Sequence, residues 1–447
     1  MKLSDIQAIV GGEIIGGDTE FFGGAYDSRE VFPGSLFVCL PGERTDGHNY
    51  INNAAEKGAV AALCQRKVES RIPYLLVEDS LMAFQKAAEE YRKTVNIPTV
   101  AVTGSVGKTT TKEFSASVLS SKFNVYKTDG NKNSTIGLPA TILNMPKDSS
   151  ACVFEMGMSG FNEISVMSKT AHPDIAIVSN VGFSHIEFLG SRENIMKAKL
   201  EIVDGMDENG VLILNGDDEY LSTRDPEDFK QRVITFGIGN RNADYRAEDI
   251  LFSDGLCRFF AVTPSGIISV RIPTEGIHNV YNALSAIAVG QTLGLTTDEI
   301  KEGLMRFKNA PLRQNIYEMN SMTVIEDCYN ASPDSVVAAI NVLRTKNGRK
   351  IAVLGDMLEL GERSAELHEM TGSKLLGADI LVAFGSFAES YRKGAEKAGL
   401  PSENIYTCKN TDEAAEVVRS VSKKGDVLLF KASRGMHAEE IIEKLKN

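Results

Sequence analysis

Short apolar runs, each followed by a turn and then a helix-compatible stretch, recur along most of the chain. Between Ile97 and about Asn309 they fall at Thr99 to Val102, Ala151 to Phe154, Asp174 to Val178, Val211 to Leu214 and Val233 to Phe236. Runs that are apolar throughout, rather than at alternate positions, suit strands buried on both faces, so this rhythm predicts a parallel sheet covered by helices on either side. Residues 243 to 273 break the rhythm. Leu256 to Val262 and Ile267 to Ile272 are alternating segments joined through Pro264-Ser265-Gly266, which predicts an antiparallel appendage. After Pro311 the apolar runs return at Thr323 to Ile325, Lys350 to Leu354, Ile380 to Phe384 and Val427 to Phe430, separated by amphipathic stretches, as a second doubly wound sheet requires.

The first stretch, to about Asn96, holds the shorter runs Ser35 to Leu40, Ala59 to Leu63 and Tyr74 to Val77, punctuated by Pro33-Gly34 and Pro41-Gly42. It reads as a small α/β module. The Ala-, Glu- and Lys-rich segment Ser80 to Thr94 predicts a helix leading out of it, with Pro98 near a boundary. A chain of 447 residues exceeds what one core organises, and at about 150 residues per domain three are expected. The fold class is therefore α/β in three domains. These are a small N-terminal α/β module (1–96), a central doubly wound parallel sheet with an antiparallel appendage (97–310) and a C-terminal Rossmann-like domain (311–447).

Composition narrows the function classes. With 43% apolar and 24% charged residues and no apolar run near the ~20 residues of a membrane helix, an ordinary soluble protein without membrane insertion is expected. The segment Met1-Lys2-Leu3-Ser4-Asp5 lacks signal character, which points to the cytoplasm. A net charge of -12 argues against broad nucleic-acid binding, so an anionic substrate must be met by local cations. The six cysteines form no C-x-x-C pair and mostly sit in apolar runs, which suits reduced core residues. No short-period repeat suggests a solenoid.

The strongest chemical signal follows the run that ends at Val102. Thr103-Gly104-Ser105-Val106-Gly107-Lys108-Thr109-Thr110 stands between a strand and a helix-compatible stretch, the order of a phosphate-cradling loop. The first glycine of the strict G-x-x-x-x-G-K-S/T pattern would fall at Val102, and stands instead at Gly104. The loop predicts ATP binding: Gly104 to Thr110 wrap the phosphates, Lys108 adds a positive charge and the Thr109 hydroxyl can ligate Mg2+. Glu155 and His185 follow apolar strands at the edge where parallel sheets place function. Glu155 suits magnesium, whereas His185 alone fits a capping or core role as readily. Lys199 lies in a helix-like segment whose lysines are by default solvated, and Asn282 alone reads as a polar helix-surface residue.

Together with Glu155-Met156-Gly157, Asn180 to His185, Ala198-Lys199, His278 to Ala283 and Leu312-Arg313, the loop resembles the ATP-dependent Mur ligases of peptidoglycan synthesis, over nearly the whole chain. Gly130 to Pro139 and Asp327 to Ser335 resemble, within that family, the member that adds the terminal dipeptide. The resemblance implies an amide ligase with ATP and Mg2+, acting through an acyl phosphate on UDP-N-acetylmuramoyl-tripeptide and D-alanyl-D-alanine, working as a monomer. It makes residues 1–96 the UDP-substrate domain and 97–310 the ATP domain.

Thr109 and Glu155 would hold one magnesium and His185 would contribute to a second metal. Lys199 matches a position carboxylated in some members. Asn282 would contact adenine with His278 beside it, Arg313 would reach the terminal phosphate, and Asp327 would accept from the ribose hydroxyls with Tyr329 and Asn330 following in its loop. Ser28 and Arg29 would meet the uridine nucleotide, although a Ser-Arg turn is structurally ordinary. Asn133 and its neighbours, with Ser159 to Glu163, would frame the muramoyl peptide. Asp356 and Glu359, like Lys431, Ser433 and Arg434, fit the dipeptide side, and helix capping explains such an aspartate about as well.

Rival readings are weaker. No Asp-Asn-Pro-Arg segment marks the ligase that adds the third residue, the N-terminal module argues against folylpolyglutamate synthase, and no Asn/Thr-Lys-x-Asp motif marks a GTPase switch. Because nucleotide contacts are expected on both sides of Pro311, the last domain must close on the central one to assemble the site.

Overall fold

The computed structural model describes residues 1–42, 45–253 and 255–446. The strands gather into three separate sheets. The first comprises β1 (Glu13–Ile15), β2 (Gly24–Ala25), β3 (Leu36–Val38), β4 (Ala61–Cys64) and β5 (Tyr74–Leu76), in the order β1-β5-β4-β3-β2. Only β1 is antiparallel to its neighbour.

The helix Ser80–Thr94 follows, started by Asp79, whose carboxylate accepts from the amides of Leu81 and Met82. Its buried face, Ala83, Phe84, Ala87 and Ala88, has the three-and-four spacing of a helix stripe. This module is clipped to the next one. The Asn144 side chain bonds both backbone groups of Gly24, at 2.9 Å to the amide and 3.0 Å to the carbonyl, and Lys132 pairs with Glu30 at 2.9 Å.

The central sheet contains β6 (Thr99–Thr103), β7 (Val125–Lys127), β8 (Ala151–Glu155), β9 (Ile175–Val178), β10 (Val211–Asn215), β11 (Arg232–Gly237), β12 (Tyr245–Ser253), β13 (Leu256–Thr263) and β14 (Gly266–Ile272). Their order is β14-β13-β12-β11-β10-β9-β6-β8-β7, parallel from β7 to β12 and antiparallel across β12, β13 and β14. The chain lays β8 on one side of β6 and β9 on the other, so the strand order reverses at β6. That reversal opens a crevice beyond the strands' carboxyl ends, where α/β sheets bind ligands.

The third sheet holds β15 (Asn315–Met319), β16 (Met322–Glu326), β17 (Lys350–Gly355), β18 (Ile380–Phe384), β19 (Ile405–Cys408) and β20 (Val427–Lys431), in the order β15-β16-β20-β17-β18-β19. All its neighbours are parallel except β15 with β16. One apolar cluster continues through all three units, from Leu36 and Phe84 through Leu138 and Phe154 to Leu354 and Leu381.

The strands named from the apolar rhythm are all present. Those it passed over are short or half-exposed. β7 and β15 lie at sheet edges and bury little, and β12 alternates and carries a register shift between Glu248 and Leu251. All six cysteines are buried and unpaired by disulfides; Cys39, just past β3, and Cys64, at the end of β4, have Sγ atoms 3.7 Å apart. Among the described residues no helix is long and apolar enough to cross a membrane.

Candidate active site

The glycine-rich loop leaves β6 and turns into the helix Lys108–Leu119. Gly107 has φ +84°, a left-handed conformation that favours glycine. Gly104 is glycine for lack of space: a Cβ there would stand 1.9 Å from Ser179 Oγ. The strand exit of β9 holds the loop in shape. The Ser105 amide donates to Asn180 O at 3.0 Å, the Val106 amide donates to Asn180 Oδ1 at 2.8 Å and Asn180 Nδ2 donates to Val106 O at 2.8 Å. The Gly182 amide donates to Ser105 Oγ at 2.8 Å.

Asn180 belongs to the segment that carried the family resemblance. Its part as the splint of the loop was not foreseen, and its one sequence signal is its place just past an apolar strand. The first amides of the Lys108 helix are thereby aimed at the crevice, as anion binding requires.

Lys108 folds back over this loop, donating to Gly104 O at 2.8 Å. Burial lowers its pKa; the Glu155 carboxylate works against that shift and Arg313 adds to it. Glu155 closes β8, its own amide bonded to Thr128 Oγ1 at 3.0 Å. Oε1 of Glu155 accepts from Asn133 Nδ2 at 2.7 Å, whereas Oε2 is buried with no hydrogen-bond partner. Asn133 is thus placed beside the carboxylate expected to bind metal. Among the described residues no group of three or more His, Cys, Asp or Glu side chains is arranged to hold a metal. An unpaired carboxylate oxygen and a threonine hydroxyl still fit magnesium, which keeps several waters and takes substrate phosphate oxygens beside one or two protein ligands.

His185 adopts φ +64° at the start of a one-turn helix, Ile186–Leu189, and its Nδ1 lies 2.8 Å from Glu359 Oε2 in the third domain. Glu359 is itself left-handed at φ +62°. The approach of the His185 imidazole is the main cause holding the Glu359 carboxyl below its ordinary pKa. Lys199 sits in the helix Arg192–Leu200 and is 1% exposed, contrary to the default of a solvated helix lysine. Its amine has no hydrogen-bond or ion-pair partner among the described residues. Burial, with a further contribution from Lys108, drives its pKa well below 10.5.

Asn282 is equally unlike a surface residue. It is buried, accepts from Thr111 Oγ1 at 2.9 Å and donates to Asn279 at 3.3 Å. Its Oδ1 stands 3.1 Å from where a Gly107 Cβ would be.

The third domain supplies the other wall. Arg313 lies 4.1 Å over the Tyr329 ring. Lys431 donates to Asp327 Oδ2 at 2.7 Å and to Asn330 O at 3.1 Å. This places Lys431 with the residues expected to meet ribose, away from the dipeptide assignment suggested by its sequence neighbours. Ser433 has a different task, its Oγ accepting from the Leu358 amide at 2.9 Å.

Arg313, Asp327, Asn330 and Lys431 share one cleft with Ser105 to Thr110 and Asn282. Gln314, at φ +48°, pins the domain connection by bonding His278 Nε2 at 2.7 Å and Glu275 O at 2.8 Å. The third domain therefore stands closed over the loop. Ser28 and Arg29 lie apart from this cleft: Arg29 is 84% exposed and pairs with Asp27 at 2.6 Å.

Three family models match the chain in succession: "Mur ligase family, catalytic domain" over residues 23–105, "Mur ligase middle domain" over 102–290, and "Mur ligase, glutamate ligase domain" over 312–434. Among curated proteins, the UDP-N-acetylmuramoyl-tripeptide--D-alanyl-D-alanine ligase of Bacillus subtilis (strain 168) is 38% identical, covering 96% of this chain and 93% of its own. The crystal structure I of MurF from Acinetobacter baumannii superposes with a TM-score of 0.91 at 30% identity, covering 99% of this chain and 98% of that one. The MurF ligase from Thermotoga maritima in complex with ADP gives a TM-score of 0.84 at 34% identity, with 95% and 97% covered.

Proposed function

The chain belongs to the Mur ligase family, and on that premise we propose that it joins D-alanyl-D-alanine to UDP-N-acetylmuramoyl-tripeptide in peptidoglycan precursor synthesis, converting ATP to ADP and phosphate. The observation that carries the reading is the shared cleft, in which the glycine-rich loop of the central domain faces Arg313, Asp327 and Lys431 of the last.

A carboxylate is a poor acylating group because oxide would have to leave. Transfer of the γ-phosphoryl group to the tripeptide carboxylate oxygen breaks the bond to the ADP oxygen and gives an acyl phosphate. The dipeptide amine then attacks the acyl carbon, phosphate departs and the amine proton is released. Negative charge spreads over the transferred group, and Lys108 and Arg313, which line the same cleft from different domains, would stabilise it. The closed third domain shields the acyl phosphate from water. Thr109 and Glu155 Oε2 would hold Mg2+, which when bound neutralises phosphate charge.

Asn282 offers both donor and acceptor to adenine, and Asp327, fixed by Lys431, offers an acceptor to ribose with Asn330 in the same loop. The buried, unpaired amine of Lys199, with its lowered pKa, supports carboxylation, because the neutral amine is the form that adds CO2. His185 would contribute to a second metal once Glu359 yields. Ser28 and Arg29 would take the uridine nucleotide at the N-terminal module, and Asn133 would face the muramoyl peptide. Substrates of this kind support a cytoplasmic setting, and a monomer is the expected working form.

The test is phosphate release with UDP-N-acetylmuramoyl-tripeptides carrying lysine or diaminopimelate, with and without D-alanyl-D-alanine. Release coupled to a new peptide bond is expected only with both substrates. A folded, saturated enzyme that forms no such bond would overturn the reading.

A further inference from the structure

Among the described residues, one face of the antiparallel appendage leaves large apolar side chains exposed. Strands β12, β13 and β14 bury one side beneath the helices Ile277–Thr292 and Thr297–Met305. The register fixes what lies on the other side, because residues directly opposite in an antiparallel pair share a face. Arg246, Val262 and Ile267 form one row, Glu248, Phe260 and Ser269 the next, and Leu251, Arg258 and Arg271 the third. Water-facing sheet positions are ordinarily polar. Here Leu251 is 66% exposed, Ile267 70% and Phe260 44%, all on this one face.

The charges on it are unbalanced. Arg246 lies 3.7 Å from Glu248. Arg258 and Arg271 stand directly opposite each other, both exposed, and neither has an acidic partner among the described residues. Like charges facing each other across a ladder are destabilising, and an anion bridging the two guanidinium groups relieves the repulsion. Three strands about 4.8 Å apart and three same-face rows give a footprint on the order of 300 Å², well under the ~800 Å² per partner of a stable protein complex. The face is too small for a durable protein partner. Aliphatic and aromatic side chains that can enter an interfacial layer, set among arginines that grip phosphate, suit a lipid headgroup region.

We propose that the outer face of β12, β13 and β14 docks the chain reversibly onto an anionic lipid surface, with Arg258 and Arg271 on lipid phosphates and Leu251, Phe260 and Ile267 at the headgroup boundary. With a net charge of -12 on the whole chain, the remaining surface is repelled by such a membrane. Docking is therefore oriented, weak and sensitive to salt.

Co-sedimentation of the full chain with vesicles of phosphatidylcholine alone, or mixed with phosphatidylglycerol, tests this at low and high salt. Binding is expected only to the phosphatidylglycerol vesicles at low salt, falling about fivefold for each of Arg258→Ser and Arg271→Ser. Leu251→Ser/Ile267→Ser is expected to weaken it comparably, while Arg306→Ser, outside this face, leaves it unchanged. All variants should retain turnover, which shows that they fold. Absence of binding, or binding indifferent to the four substitutions on the face, overturns the proposal. So does sedimentation equilibrium showing a dimer that these substitutions dissolve, since the face would then meet a second copy of the chain.

Discussion

The Asn133 side chain donates to Glu155 Oε1 at 2.7 Å and leaves Oε2 of the same carboxylate buried and unpaired. The amide fixes the rotation of the carboxylate, so the free oxygen has one direction to face. Groups that orient a metal ligand typically change metal affinity 10- to 100-fold when removed. Asn133→Ala is expected to raise the half-saturating magnesium concentration for phosphate release about tenfold, and to loosen manganese bound in the presence of ADP, followed by electron paramagnetic resonance. An increase confined to the KM of the muramoyl substrate would show that the pairing has no bearing on metal.

Lys199 gives a pH signature. Burial holds its folded-state pKa below the ordinary 10.5, so between those two values the unfolded chain binds the extra proton. Stability then rises with pH across that window and falls as the solution is acidified from 10.5. Lys199→Met removes a desolvated amine and is expected to stabilise the ligand-free chain by about 2 kcal/mol, to flatten this dependence and to abolish turnover. Denaturant midpoints at several pH values measure the first two. Intact mass measured with bicarbonate present is expected to show one added CO2 on the wild type that is lost in acid.

Arg313 reaches the cleft from the last domain, its guanidinium stacked on Tyr329 at 4.1 Å. An arginine that meets the transferred phosphoryl group contributes mainly in the transition state, on the order of a thousandfold in kcat. Arg313→Ala should lose turnover on that scale while ATP affinity changes less than about tenfold. Comparable losses in both quantities would make it a ground-state binder.

The loop was legible because its order (strand, glycines, lysine, helix) is itself the physical device, and the buried strands because a parallel sheet writes each one as a continuous apolar run. Asn180 and Lys431 were harder to place. Their roles depend on which residue lies opposite, Val106 in one case and Asp327 in the other, and those partners are 74 and 104 residues away in the chain. The solvated-helix default for Lys199 gave way to burial because the helix Arg192–Leu200 turns that lysine inward with Ile195, Met196 and Ala198. The edge strands β7 and β15 were missed for the opposite reason: half-exposed sequence carries little apolar signal.

Closure was expected from the split of nucleotide contacts across Pro311, and the segment after β9 shows how it is held. Asp334 Oδ2 accepts from the Phe183 amide at 3.3 Å and would lie 2.1 Å from a Cβ on Gly182, so glycine is needed for that approach. The Phe183 ring has Arg192 of the central domain at 5.1 Å and Arg363 of the last at 5.5 Å. Two residues further on, His185 meets Glu359. Four residues of the third domain therefore border the loop that carries the candidate metal histidine, since a Cβ on Gly361 would stand only 3.1 Å from Glu187 Cγ. Asp334→Ala combined with Arg363→Ala removes two of these contacts and leaves the cleft-lining cations intact. The variant is expected to show a larger radius of gyration by small-angle scattering without nucleotide, and a kcat lowered about tenfold, with ATP restoring part of the compaction. If scattering stays unchanged while turnover falls, these side chains act within the site itself and closure is held by the Glu275–Lys346 and Gln314 contacts instead.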